Sequence, residues 1–524
     1  MSRSSASAVT QTVSQTHPMT HLPYAKTTLA LLAALSLTAC ARLDPQPLTE
    51  QALTAQAQAD RESARQDVQP IVGALTLDEA MARALKYNLD RRARMLEEAL
   101  AFQQYDVSRY DMLPKLLAQA GYTSRNNDKI SQSRNAEDGS LSESRFISQE
   151  RDHTVSSLAL SWNMLDLGVG YYGARQQADR ALAAGEKRRK AMHLLLQDVR
   201  TAFWRAVSAQ KLEAEVRAAT LTAEQALADA HQAETERLRN PLDSLRYQRQ
   251  VLENLRLLEA IEQELSTAQT ELALLINAPL GQPITLAEPR FQLDRQALLV
   301  PVAAMEATAL EANADLREAH YNARIARDET RKTLVRLFPS LNLSYGVNYD
   351  TDSYLVNRQW NEAGAQLSFN LFNLLSGPSQ LRLAEAGVAL ADQRRVSMQM
   401  AVLAQVHLAR QQLINAQHQF TRADAIWEID RRIAEHMSNR ETIQVQSKLD
   451  RVANQTTAIL SLLRRYQALA QAQTAEARLQ ATLGVEPEIG SVSELSLGEL
   501  TRTLAGAQGS WQTLAVRAGE GGQP

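Results

Sequence analysis

Two stretches, 173–239 and 380–437, each run for about sixty residues with almost no helix breaker inside. At about 1.5 Å per residue each predicts a rod of roughly 90 Å, which an ordinary globule cannot hold. Composition agrees: Ala, Gln, Leu, Arg and Glu dominate, whereas aromatic residues make up only 5%. That balance favours long helices over large sheet domains.

The rods are the largest pieces of an order of elements that runs twice. A helical stretch, 76–112, meets Pro114, and its counterpart, 302–337, meets Pro339; proline continues neither helix. After Pro114, Leu116, Ala118, Ala120 and Tyr122 alternate with Leu117, Gln119 and Gly121; after Pro339, a strict period-two pattern runs from Leu341 to Tyr349. Polar loops, 124–151 and 350–361, return through Leu160-Ser161-Trp162-Asn163-Met164-Leu165 and Leu367-Ser368-Phe369-Asn370-Leu371-Phe372, which align residue for residue. Each rod then breaks, at Asn240-Pro241 or at Ser438-Asn439, into a shorter helix, 242–276 or 441–483. Leu258, Ile261, Leu265, Ala268, Leu272 and Leu275 step by three and four, which predicts side-by-side helical hairpins.

The predicted strands, about 115–123, 154–165, 340–349 and 364–372, have the length of one bilayer crossing, with one greasy and one wet face. Tyr122, Trp162, Tyr345, Tyr349 and Phe372 are candidate interfacial aromatics. Four strands cannot close a membrane barrel, and an open edge in lipid leaves backbone groups unpaired. The chain must therefore oligomerise, as eight strands from two copies or twelve from three.

Lys26 followed by the apolar run 27–37 reads as an export signal too short to span a membrane, with Met1 or Met19 as its start. The tetrad Leu37-Thr38-Ala39-Cys40 resembles the bacterial lipoprotein cleavage box, which makes Cys40, the single cysteine, a lipidation site. Ala41 rather than Asp follows it, favouring the outer membrane. The predicted organisation is a signal peptide at 1–39, an anchored linker at 40–74, a first repeat at 75–276, a connector at 277–301, a second repeat at 302–484 and a tail at 485–524.

Other functions find little support. A net charge of −3 with mixed signs gives no footprint for nucleic acid. No phosphate loop, zinc-binding His-Glu-x-x-His or nucleophile elbow is present, so neither an enzyme nor a cofactor is predicted. His407 and His418 lie eleven residues apart on one helix, a spacing that suits packing better than metal ligation.

On Leu75-Thr76-Leu77-Asp78-Glu79-Ala80, the two prolines, the Leu160 and Leu367 segments and the helix ends at Leu275 and Leu483-Gly484, the chain resembles the TolC-like outer-membrane efflux protein family over roughly residues 75–485. The resemblance implies a mainly helical fold with a small β part. Four strands per chain would join a trimeric 12-stranded barrel, continued by an α-barrel of helical hairpins across the periplasm. It implies a homotrimer in the outer membrane that docks on a periplasmic adaptor (membrane fusion) protein and an inner-membrane pump or ABC exporter. It places the aperture at the tips, here Arg239, Asn240, Pro241 and Asp243 with Asn439, Arg440, Glu441 and Thr442. Several family members carry aspartates just after the second tip; Gln444, Gln446 and Ser447 stand there in this chain. The sequence leaves the cargo open between small molecules and a type I secreted protein. The alternative is a periplasmic coiled-coil adaptor or scaffold lipoprotein without its own pore, which needs no membrane strands.

Overall fold

The computed structural model describes residues 47–236, 240–288, 296–441, 448–485, 492 and 494–506. Two compact units are present, Met1–Gln66 and Asp67–Pro524. The first contributes one described helix, α1 (Glu50–Arg65), capped by the Thr49 hydroxyl and without a buried residue.

The second unit opens with α2 (Leu77–Tyr87) and α3 (Leu89–Ser108), and a 3₁₀ turn leads from α3 into β1 (Lys115–Ser124). A ribbon of β2 (Ile130–Arg134) and β3 (Leu141–Ile147) follows, then β4 (Asp152–Asn163) and the long helix α4 (Met164–Thr235). Helix α5 (Pro241–Leu275) returns alongside α4. After the short α6 (Gln296–Leu299), the order runs α7 (Val302–Ala312), α8 (Ala314–Arg336), β5 (Ser340–Asp350), β6 (Gln359–Ser368), α9 (Asn373–Glu441) and α10 (Lys448–Leu483). Helix α11 (Leu497–Gly506) closes the described chain and packs on α2.

The 72 residues of α4 give a helix of about 108 Å. It begins nine residues before the stretch read from sequence because Asn163 caps it, accepting from the amides of Leu165 and Asp166. Asn370 accepts likewise from Phe372 N at 3.1 Å, just ahead of α9. The aligned hexapeptides thus share a helix-starting asparagine, and the last strand ends at Ser368 rather than at 372.

Three further expectations are corrected. The stretches 76–112 and 302–337 are each two helices, broken at Asn88 and Asn313, whose extended backbones cap one helix and start the next. The break expected at Ser438-Asn439 is absent: neither residue forces a turn, and α9 runs on to Glu441. The loop 124–151 contains the β2–β3 ribbon.

The core sits midway along the long helices. Phe203, Trp204, Val207 and Leu212 of α4 pack with Met81, Leu85 and Tyr87 of α2, Leu258, Ile261 and Leu272 of α5, and Leu463 and Leu469 of α10. The seam predicted on α5 is buried from Leu258 to Leu272. A second cluster joins α7, α9 and α10 through Met305, Val402, Val406, Leu413 and Leu479.

Candidate functional site

Strands β1, β4, β5 and β6 form one antiparallel sheet in the order β1-β4-β5-β6. Register brings Leu116, Leu160, Tyr345 and Ala363 into one row, and Ala118, Leu158, Val347 and Asn361 into the next row on the same face. Trp162, Leu341, Leu343 and Leu367 extend that apolar face, and Leu116 and Leu367 are 64% and 70% exposed. The other face carries Gln119, Ser161, Asn342, Ser344, Gly364 and Gln366. Its polar groups bond across strands: Ser161 Oγ donates to Asn342 Oδ1, and Asn163 Nδ2 to Ser340 Oγ, each at 3.0 Å. Neither β1 nor β6 has a partner on its outer edge among the described residues.

The helices repeat the sheet's order. Helix α3 feeds β1, β4 runs into α4, α8 feeds β5 and β6 runs into α9, while α3 packs on α4, α4 on α8 and α8 on α9. The two outer helices expose apolar side chains, Leu96, Leu100 and Val107 on α3 and Leu383, Leu390 and Leu408 on α9. Sheet and helix layer are therefore open along the same two edges.

The α4–α8 contact is ionic. Arg317, Arg324 and Arg331 recur every seven residues on α8. Arg317 meets Glu186 at 2.8 Å, Arg324 Nε donates to Asp179 at 3.1 Å, and Asp328 of α8 meets Arg175 of α4 at 3.1 Å as well as Arg331 of its own helix at 3.0 Å. The three carboxylates are almost wholly buried, while the arginines keep their outer ends in water. The Asp179 carboxylate holds the Arg324 guanidinium above its usual pKa.

Further along the helices, Arg465 of α10 donates to Asp424 of α9 and lies 4.8 Å from the Trp427 ring centroid. The adjacent Tyr466 hydroxyl donates to Glu288, which also meets Lys211 of α4 at 3.0 Å. Burial opposes ionisation of Glu288, yet Lys211 and Tyr466 keep its carboxyl below the ordinary range. Burial first, then Glu288, pushes the Tyr466 phenol well above its usual value.

Of the predicted tip residues, Asn240 and Pro241 start α5. Asn240 Oδ1 accepts from Leu242 N at 3.0 Å, and Pro241 occupies the first turn, where its missing N–H costs nothing. Asp243 lies inside the helix and makes a long 3.7 Å contact with Arg246. Ser244 and Gln248 tie this tip back to α4 by donating to Ala230 O and Glu234. The backbone places Asn439, Arg440 and Glu441 at the end of α9. Cys40, Arg239 and Thr442 lie outside the described residues. His407 meets Glu306 at 2.7 Å, an interhelical contact, and no metal-binding group of His, Cys, Asp or Glu occurs among the described residues.

No protein-family model and no curated protein sequence matches the chain. Solved structures do. The Campylobacter jejuni CmeC outer membrane channel superposes with a TM-score of 0.62 at 14% identity, covering 82% of this chain and 89% of that one. The open state of the Neisseria gonorrhoeae MtrE outer membrane channel gives 0.59 at 16%, with 78% and 88% covered. The Vibrio cholerae outer membrane protein VceC gives 0.55 at 14%, with 78% and 96% covered. This is the TolC-like outer-membrane channel fold. Within that fold, the residues missed by sequence reasoning are Asn88 and Asn313, although the pattern Ala-Leu-x-x-Asn-x-Asp occurs at both, from Ala84 to Asp90 and from Ala309 to Asp315.

Proposed function

We propose that the chain is one subunit of a passive outer-membrane channel, the exit duct of a tripartite export system. The observation that carries this reading is the four-stranded sheet with one apolar face, one polar face and two unpaired edges, continued by a helix layer with the same two open edges. In lipid those edges must pair, and β6 and α9 of one copy meeting β1 and α3 of the next is a head-to-tail contact that generates a ring. Three copies give twelve strands, a number within the range of membrane barrels. The duplicated chain then supplies two hairpins of sheet and two of helix per subunit. The apolar face turns to lipid and the polar face encloses water.

In this reading the helices form a periplasmic tunnel whose tips, at Asn240–Asp243 and the end of α9, engage a periplasmic adaptor and an inner-membrane pump. The lipid on Cys40 is an auxiliary anchor. Small molecules or a secreted protein would pass according to the pump.

The test is to purify the full-length chain from outer membranes and to measure its mass in detergent and its conductance in planar bilayers. Three-chain particles with open-pore conductance are expected. A non-conducting, water-soluble chain after removal of the lipid would refute the channel, and is what a periplasmic scaffold would give. Drug sensitivity and the secreted proteins of a deletion strain separate the two cargo classes.

A further inference from the structure

Helices α5 and α10 end where α3 and α8 begin, and one buried asparagine bridges each gap. Asn88 Oδ1 accepts from Arg91 N at 2.9 Å while its Nδ2 donates to Leu275 O, in the last turn of α5, at 3.0 Å. Asn313 Oδ1 accepts from Leu316 N at 3.0 Å while its Nδ2 donates to Thr482 O, in the last turn of α10, at 2.8 Å. Each side chain thus satisfies an unpaired amide of one helix and an unpaired carbonyl of another. The carbonyl end of one helix faces the amide end of the next, so their dipoles run head to tail.

The chain does not connect these helices directly: the bonded partners are 187 and 169 residues apart. Both asparagines are more than nine-tenths buried, so water offers no ready substitute. The second joint is reinforced, because Arg189 of α4 reaches both Ala312 O and Gly484 O at 3.4 Å and is held by Glu186. By contrast, β4 and β6 run covalently into the unbroken α4 and α9.

We propose that Asn88 and Asn313 are positioning residues that splice α5 to α3 and α10 to α8, so that each pair moves as a single rod. A displacement of α10 then reaches β5 through the Asn313 side chain, and a displacement of α5 reaches β1 through Asn88. The splice does not depend on whether the assembled protein conducts.

Asn313→Asp separates this role from simple capping: aspartate still accepts from Leu316 N, but it cannot donate to Thr482 O. Hydrogen exchange on the full-length protein in detergent reads both sides of the joint. Asn313→Asp, which keeps the cap, should raise exchange about tenfold in 479–485 with 314–317 and 272–278 unchanged, whereas Asn313→Ala should raise it in 314–317 as well; Asn88→Asp should raise it in 272–278 and leave 479–485 unchanged. Spin labels at Thr457 and His320, exposed positions on α10 and α8, should show a broadened distance distribution in Asn313→Asp. Wild-type behaviour of Asn313→Asp in both measurements would reduce Asn313 to a helix cap and overturn the proposal.

Discussion

Gly484 approaches the Ala312 carbonyl so closely that a Cβ on it would lie 2.2 Å from the oxygen. Its φ of +70° ends α10 in the left-handed region, with Val485 N donating to Gln480 O and Gly484 N to Ala481 O. At the end of α5, Asn277 takes the same conformation at φ 54°, with Ala278 N on Ala273 O.

Gly484→Ala should therefore cost more than about 2 kcal/mol, since left-handed strain and a backbone clash add. Denaturant unfolding of the purified protein reads it. A loss under half a kcal/mol would mean that the α7–α8 junction yields freely.

Asp328→Asn should destabilise the α4–α8 contact by about 1–3 kcal/mol, because Arg175 of α4 and Arg331 of α8 would both face a neutral group. Their partial exposure keeps the loss in the lower part of that range. The difference from wild type should shrink in high salt, which thermal unfolding at two ionic strengths would check.

Glu288 and Tyr466 predict opposite pH limbs. The folded pKa of Glu288 lies below the ordinary 4.5, so its contribution is present above that value and is lost as pH falls through the folded pKa. Glu288→Gln should flatten this acid limb. The folded pKa of Tyr466 is raised above 10, so stability is lost as pH climbs from about 10, where the unfolded chain ionises first. Tyr466→Phe should weaken the alkaline loss, as unfolding midpoints across the two pH ranges would reveal.

The two sheet faces should respond differently to charge. Leu343→Lys places an ammonium on the apolar face and should cost roughly 2–4 kcal/mol near mid-membrane, lowering the yield of outer-membrane oligomer. Ser344→Lys, one residue on, should assemble normally and shift ion selectivity. Equal assembly of both variants would contradict the assignment of faces.

Much of this was legible locally. Period-two runs exposed the strands and both their faces, because side chains alternate along any strand. Breaker-free runs exposed the rods, and prolines marked where helices yield to strands. The ionic ladder and the joints were not legible: Asn88 and Asn313 advertise only a helix boundary, and the carbonyls they bind belong to residues far along the chain. Asp179 and Arg324, at the heart of the ladder, read singly as solvated charges.

The sequence by itself determined the four strands of the main sheet and the two long rods, since hydrophobic period and breaker placement act over a few residues. Tertiary structure alone decided that β4 pairs with β5 to unite the two hairpins, that buried carboxylates set the α4–α8 register, and that two asparagines complete helices the chain leaves unjoined. Those contacts arise only when unpaired groups from distant segments are buried together and must satisfy one another.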